Sequence, residues 1–146
     1  MKKTIVLVSD HAGFELKEFL VATLMEKYKV IDFGCYAKES VDYPDYAKKL
    51  CEYIIRAKKD QDIFVYGIVI CGTGIGMSIC CNRNPLIRCA LCHNVYTADA
   101  TRRHNDANVL ALGARVINPQ MAFDIVEKFL NTDFEGGRHA ERLAKI

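Results

Sequence analysis

The chain has 146 residues, 51% hydrophobic and 26% charged, with a formal net charge of +2. This is long enough for one domain with a core of its own and falls in the composition range of globular proteins. The charge is too mild for a nucleic-acid binder, and no run approaches the roughly 20 apolar residues that cross a bilayer.

Thr4 to Ser9 reads as a short buried strand. The apolar run after Met1-Lys2-Lys3 stops at Ser9-Asp10-His11, which argues against a secretory signal. Leu16, Phe19, Leu20 and Leu24 then recur at helical spacing, and Val30 to Phe33 is a second strand. Pro44 suits a first helical position, and Ala47, Leu50, Cys51, Ile54 and Ile55 form one apolar stripe behind it. Val65 to Ile70 is a third strand, followed by a glycine loop and a short helix over Met77 to Asn82. Ile87 to Leu91 is a fourth strand, Tyr96 to His104 a helix, and Val109 to Leu112 a fifth strand. Ala122, Ile125, Val126, Phe129 and Leu130 mark a further helix, and a basic helix starts near Gly137.

Strands alternating with helices predict an α/β fold. Parallel strands need crossovers, and the crossovers cover both faces. The expected architecture is a three-layer αβα sandwich around a five-stranded, parallel, Rossmann-like sheet, with residues 1–146 as a single domain. Ligands of such sheets bind beyond the carboxyl ends of the strands. Ser9-Asp10-His11, Asp42-Tyr43, Cys71-Gly72-Thr73 and His93-Asn94 are expected to converge there.

The most informative stretch is Cys71-Gly72-Thr73-Gly74-Ile75-Gly76, directly after the apolar run of the third strand. It lacks the Lys-Ser/Thr ending of a nucleotide P-loop and the glycine spacing of the dinucleotide fingerprint. It places a thiol beside backbone N–H groups at a helix start. That setting suits an anion, or an oxygen that becomes one, and favours the reactive thiolate. Three alternating glycines exceed what a tight turn needs, which favours a ligand.

The other cysteines (Cys35, Cys51, Cys80, Cys81, Cys89 and Cys92) lack that setting and are assigned to packing. Seven thiols, an odd number set mostly in apolar segments, read as reduced and hence cytoplasmic. Cys89-Ala90-Leu91-Cys92-His93 matches a haem-attachment spacing but lies on a strand, and a single CxxC is a weak zinc signal.

Asp10 or His11 could simply cap the first helix. His104-Asn105-Asp106 ends a helix and could be a C-cap, although His is the side chain best suited to proton transfer near neutral pH. Arg138 and Arg142 lie four apart on one helix face. They read either as a solvated basic face or as two guanidinium forks for a phosphate, with Arg115 as a third.

Taken together, Ser9-Asp10-His11-Ala12-Gly13-Phe14, Asp42-Tyr43-Pro44, Cys71 to Gly76, His104-Asn105-Asp106-Ala107-Asn108, Gly113-Ala114-Arg115 and Phe134-Glu135-Gly136-Gly137-Arg138-His139 resemble the type B ribose-5-phosphate isomerase family. That family also holds the galactose-6-phosphate isomerase subunits. The resemblance runs along nearly the whole chain.

It implies a homodimer or dimer of dimers with the active site at the dimer interface, the C-terminal helix reaching the partner, and a phosphorylated sugar as substrate. It implies no cofactor, no metal and no nucleic-acid or membrane partner. It also implies that Cys71 is the base moving a proton between C1 and C2, and that Gly72, Gly74 and Gly76 belong to the loop whose N–H groups hold the enediolate. Asp10, Thr73 and Asn105 would handle sugar oxygens, and His104 would help open the furanose ring. His11, Arg115, Arg138 and Arg142 would bind phosphate, and Tyr43 would line the pocket. Some members use a glutamate base beside the last loop glycine, where this chain has Met77.

The expected reaction interconverts ribose 5-phosphate and ribulose 5-phosphate. The alternatives are a hexose-6-phosphate isomerase acting on allose or galactose 6-phosphate, and a non-catalytic sugar-phosphate-binding module. A redox sensor is a weaker idea prompted by the thiols. A binder needs the glycines and arginines but neither Cys71 nor His104.

Overall fold

A computed structural model describes residues 2–146 of the protein. The elements run β1 (Thr4–Ser9), α1 (Phe14–Leu24), β2 (Lys29–Asp32), α2 (Tyr43–Lys59), β3 (Val65–Cys71), α3 (Ile75–Cys81), β4 (Cys89–Leu91), α4 (Val95–Asn105), β5 (Val109–Gly113), α5 (Pro119–Leu130) and α6 (Arg138–Leu143). All strand pairs are parallel, in the order β2-β1-β3-β5-β4. The expected three-layer sandwich is therefore present.

Alternation along the strands divides the core in two, because successive strand side chains point to opposite faces. Ile5, Leu7, Ile68, Ile70, Leu110 and Leu112 pack on one face with α1, α4 and α5. Val6, Val8, Val69, Cys71, Val109 and Ala111 pack on the other with α2 and α3. The apolar stripe of α2 (Ala47, Leu50, Cys51 and Ile54) is buried as its spacing predicts. Each fully buried large side chain, such as Phe129 on α5, stabilises the fold by about 1.5–3 kcal/mol.

Some element boundaries shift. The fourth strand begins at Cys89 rather than Ile87, because the Ile87 N–H closes a turn onto the Asn84 carbonyl and the Arg88 N–H is taken by Asn108 Oδ1. The second helix starts at Tyr43 after Asp42, so Pro44 is its second residue, where a missing N–H is equally tolerated. The third helix starts at Ile75, two residues earlier than predicted, immediately behind Gly74.

Strand order fixes where the chemistry sits. From β1 the chain goes to β2 on one side, and β3 returns on the other. The crevice between the carboxyl ends of β1 and β3 is thus a topological switch point, where open α/β sheets bind ligands. Cys71 is the last residue of β3 and Asp10 directly follows β1. Both lie at that crevice.

Candidate active site

Cys71 is 5% exposed at the centre of the sheet, registered against Gly113 of β5. Its sulfur accepts the Gly74 N–H at 3.2 Å. The N–H groups of Thr73 and Gly76 find no acceptor among the described residues, so the loop keeps donors free beside the thiol. The Thr73 hydroxyl accepts the Ile75 N–H at 3.3 Å and is otherwise exposed.

The loop glycines answer to protein neighbours, so their spacing alone does not call for a ligand. Gly74 has φ +80°, and a Cβ there would lie 2.9 Å from the Leu112 carbonyl carbon. A Cβ on Gly76 would lie 2.6 Å from the Tyr43 ring. Tyr43 thereby closes one wall of the crevice. Arg115 borders the start of the loop: its N–H bonds the Gly72 carbonyl at 2.9 Å, and its guanidinium lies over Gly72.

Asp10 is 6% exposed, and its carboxylate accepts the Gly13 N–H at 3.1 Å. The helix-capping alternative is thus partly realised, with one carboxylate oxygen turned to the start of α1. His11 does not cap. Its Nδ1 accepts the Val41 N–H at 3.2 Å, which leaves Nε2 as the nitrogen that carries hydrogen in the neutral ring.

The loop that supplies Val41 is stitched in place. Lys17, with a fully buried side chain, pairs with Asp32 at 2.7 Å and Glu18 at 2.8 Å. Asp32 accepts the Gly34 N–H at 2.9 Å, and the Gly34 carbonyl accepts the Ser9 N–H at 2.7 Å, next to Asp10.

The remaining expected residues lie elsewhere. Helix α4 starts beyond the carboxyl end of β4, where Asn94 caps it through the Thr97 N–H, and runs back antiparallel to the strands. It ends at the amino edge. There the Asn105 carbonyl accepts from Arg88, the residue before β4, at 2.7 Å, and Arg102 lies over the ring of Tyr66 near the start of β3. Asp106, in the left-handed region at φ 45°, is the C-cap, which leaves His104 and Asn105 exposed. Helix α6 packs on α4 and brings Arg138 and Arg142 to the same edge. Among the described residues Arg115, Arg138 and Arg142 have no carboxylate partner, so all three guanidinium groups are available to an anion.

One chain therefore presents two half-sites. Asp10, His11, Tyr43, Cys71, Gly72 to Gly76 and Arg115 stand at the carboxyl edge, with His93-Asn94 at the tip of β4. His104, Asn105, Arg138 and Arg142 stand at the amino edge. The six residue steps of β3 put these edges about 20 Å apart.

Sequence reasoning gave His139 and Glu135 no role of their own. His139 is 6% exposed and stacks on His104, with ring centroids 4.3 Å apart and planes 18° apart. Its Nε2 lies 3.7 Å from Glu135. The i,i+4 spacing of Glu135 and His139 was the available signal. These three side chains are close enough to be considered as cation ligands, but Arg103, Arg138 and Arg142 around them oppose a cation.

The other thiols behave as packing groups. The neighbouring Cys81 thiol and burial push Cys51 far above the ordinary thiol range, and burial raises Cys80 and Cys92. Cys89 and Cys92 do not form an exposed attachment loop: Cys89 opens β4, and Cys92 is 1% exposed.

A doubly wound αβα domain with a thiol, free backbone donors and a carboxylate at its switch point is an enzyme of the Rossmann-like class. The sequence profile of the ribose/galactose isomerase family matches residues 5–146. A putative sugar phosphate isomerase of Rickettsia conorii is 52% identical over 143 residues, covering 97% of this chain and 96% of the relative. The crystal structure of a ribose 5-phosphate isomerase from Thermotoga maritima is similar with TM-score 0.92 and 48% identity, covering 99% of this chain and 97% of that one. A ribose-5-phosphate isomerase B from Mycoplasma genitalium with bound ribulose 5-phosphate aligns with TM-score 0.90 and 37% identity, covering 99% and 94%. The chain belongs to the ribose/galactose isomerase family.

Proposed function

We propose that this protein interconverts ribose 5-phosphate and ribulose 5-phosphate through an enediolate, with Cys71 as the base. The observation that carries this reading is the Cys71 sulfur at the switch point, with the Gly74 N–H on it and the free Thr73 and Gly76 N–H groups beside it. Family membership along nearly the whole chain supports the same reaction.

In the aldose-to-ketose direction the Cys71 thiolate takes the proton from C2 of the open-chain sugar. The C2–H electron pair forms the C1–C2 double bond, and the carbonyl pair moves onto O1. Loop N–H groups receive the developing negative charge, and each such donor contributes on the order of 10²–10³ in rate. The O2 proton passes to O1, and Cys71 returns its proton to C1. Asp10 and Thr73 hold sugar hydroxyls. No electron leaves the substrate.

A pentose phosphate cannot span about 20 Å, so we assign the second half of the site to another copy of the chain. His104 of the partner subunit opens the furanose ring, and Asn105 of the partner subunit binds a sugar oxygen. Arg138 and Arg142 of the partner subunit meet the phosphate together with His11 and Arg115. A two-fold axis then completes two equivalent sites.

Exposed Ile75 and Ile79 on α3, with Leu86 and Tyr96 before and after β4, supply apolar surface for this dimer. A groove of about 760 Å³ runs along β4, one of the two edge strands of the sheet, and suits the same contact. The reaction itself is tested by steady-state rates on ribose 5-phosphate and allose 6-phosphate with EDTA present. Turnover of the pentose phosphate is expected, and turnover of the hexose phosphate alone would reassign the substrate.

A further inference from the structure

We propose that His139 is a positioning residue for ring opening, holding the imidazole of His104 in its working plane by stacking against it. This rests on the reading of His104 as the ring-opening group. His104 is exposed on the last turn of α4, where nothing on its own helix fixes its rotamer. The buried ring of His139 supplies a flat surface 4.3 Å away.

His139 is itself held from two sides. Its Nε2 lies 3.7 Å from the Glu135 carboxylate, and its N–H bonds the Gly136 carbonyl at 3.1 Å. Glu135 is fastened to α4 one residue before His104. Its N–H bonds the Arg103 carbonyl at 3.1 Å, and its carboxylate lies 3.6 Å from the Arg103 guanidinium.

Gly136 and Gly137 lie between these two residues at φ +69° and +56°. Neither would meet anything within 4 Å if it carried a Cβ. Their role is backbone direction: the left-handed pair turns the chain so that the first turn of α6 faces the end of α4. Burial, with His104, Arg138 and Arg142 close by, lowers the pKa of His139, which favours the neutral ring in the stack. A neutral ring leaves the proton traffic to His104.

Ring opening must precede the chemistry on ribose 5-phosphate, but exchange of the ribulose 5-phosphate C1 proton with solvent through the enediolate needs no ring step, which makes the proposal separable. Ribose 5-phosphate is a furanose in water, whereas ribulose 5-phosphate has its C5 oxygen blocked and stays open. The test measures conversion of ribose 5-phosphate and exchange of the ribulose 5-phosphate C1 proton with deuterated solvent for the wild type and for His139→Ala, His139→Phe, His104→Asn and the double variant His104→Asn/His139→Ala, with circular dichroism on each.

His139→Ala is expected to lower kcat/KM for ribose 5-phosphate on the order of tenfold or more, while solvent exchange of the ribulose 5-phosphate C1 proton stays within about twofold. His139→Phe keeps a flat neutral ring and restores most of the loss. The double variant is no slower than His104→Asn alone, because the two rings act as one unit. Equal loss in conversion and in proton exchange with the fold intact, no loss at all, or additive losses in the double variant would overturn the proposal. If His104→Asn itself slows conversion and proton exchange equally, the ring-opening role of His104 fails instead, and additivity still reports on the coupling.

Discussion

Cys71 and His104 stand at opposite edges of one parallel sheet, the thiol at the carboxyl end of β3 and the imidazole at the end of the helix that returns to the amino edge. Every catalytic assignment depends on this relationship. A monomer keeps Cys71 and His104 about 20 Å apart, so in the proposed reaction one copy alone cannot bring both to the same sugar.

Replacing Cys71 with alanine removes the proposed base and leaves the Gly74 N–H without its acceptor. Turnover should fall by roughly 10²–10⁴, the usual contribution of a general base, with the far-ultraviolet spectrum unchanged. Steady-state rates decide this, and near-normal turnover would remove Cys71 from proton transfer.

The loop conformation should be intolerant of a side chain at Gly74. Its φ of +80° strains an alanine by about 1–2 kcal/mol, and the Leu112 backbone 2.9 Å from the new Cβ adds a clash. Gly74→Ala should therefore lower stability by more than about 1 kcal/mol in urea unfolding and also reduce turnover. A variant as stable and active as the wild type would contradict this loop geometry.

Lys17 predicts an alkaline limit. Burial alone lowers its pKa, but the hydrogen bonds and charges of Asp32 and Glu18 outweigh burial and leave it above the ordinary lysine value. A raised folded-state pKa stabilises fully below the unfolded value of about 10.4, and this is lost as pH rises through the folded pKa. Unfolding free energy measured from pH 9 to 12 should fall across that window in the wild type and fall less in Lys17→Met. Equal slopes would show that the pair contributes nothing to folding.

Much of the fold is legible in the sequence because both periodicities are clean. Val65 to Cys71 is an unbroken apolar run, and α2 carries one stripe. Strand order is not legible, since it depends on which crossover packs on which face. The carboxyl-edge half-site could be read from residues that follow strands, such as Asp10 and Cys71. The split of the site was also present in principle: His104 and Asn105 end a helix and precede a strand, which in a parallel sheet places them at the amino edge. What no local pattern carries is the contact between two returning segments, and so the stacking of His139 on His104 appears only in three dimensions.

The most direct measurement mixes two crippled variants. Cys71→Ala and His104→Asn are each assayed on ribose 5-phosphate, then unfolded together, refolded and assayed again. If each site takes Cys71 from one copy and His104 from the other, half of the randomly reassembled dimers carry one intact site. Activity should then recover to about a quarter of the wild type. Activity no greater than the mean of the two variants alone, in a mixture shown to contain hybrid dimers, would contradict the shared site.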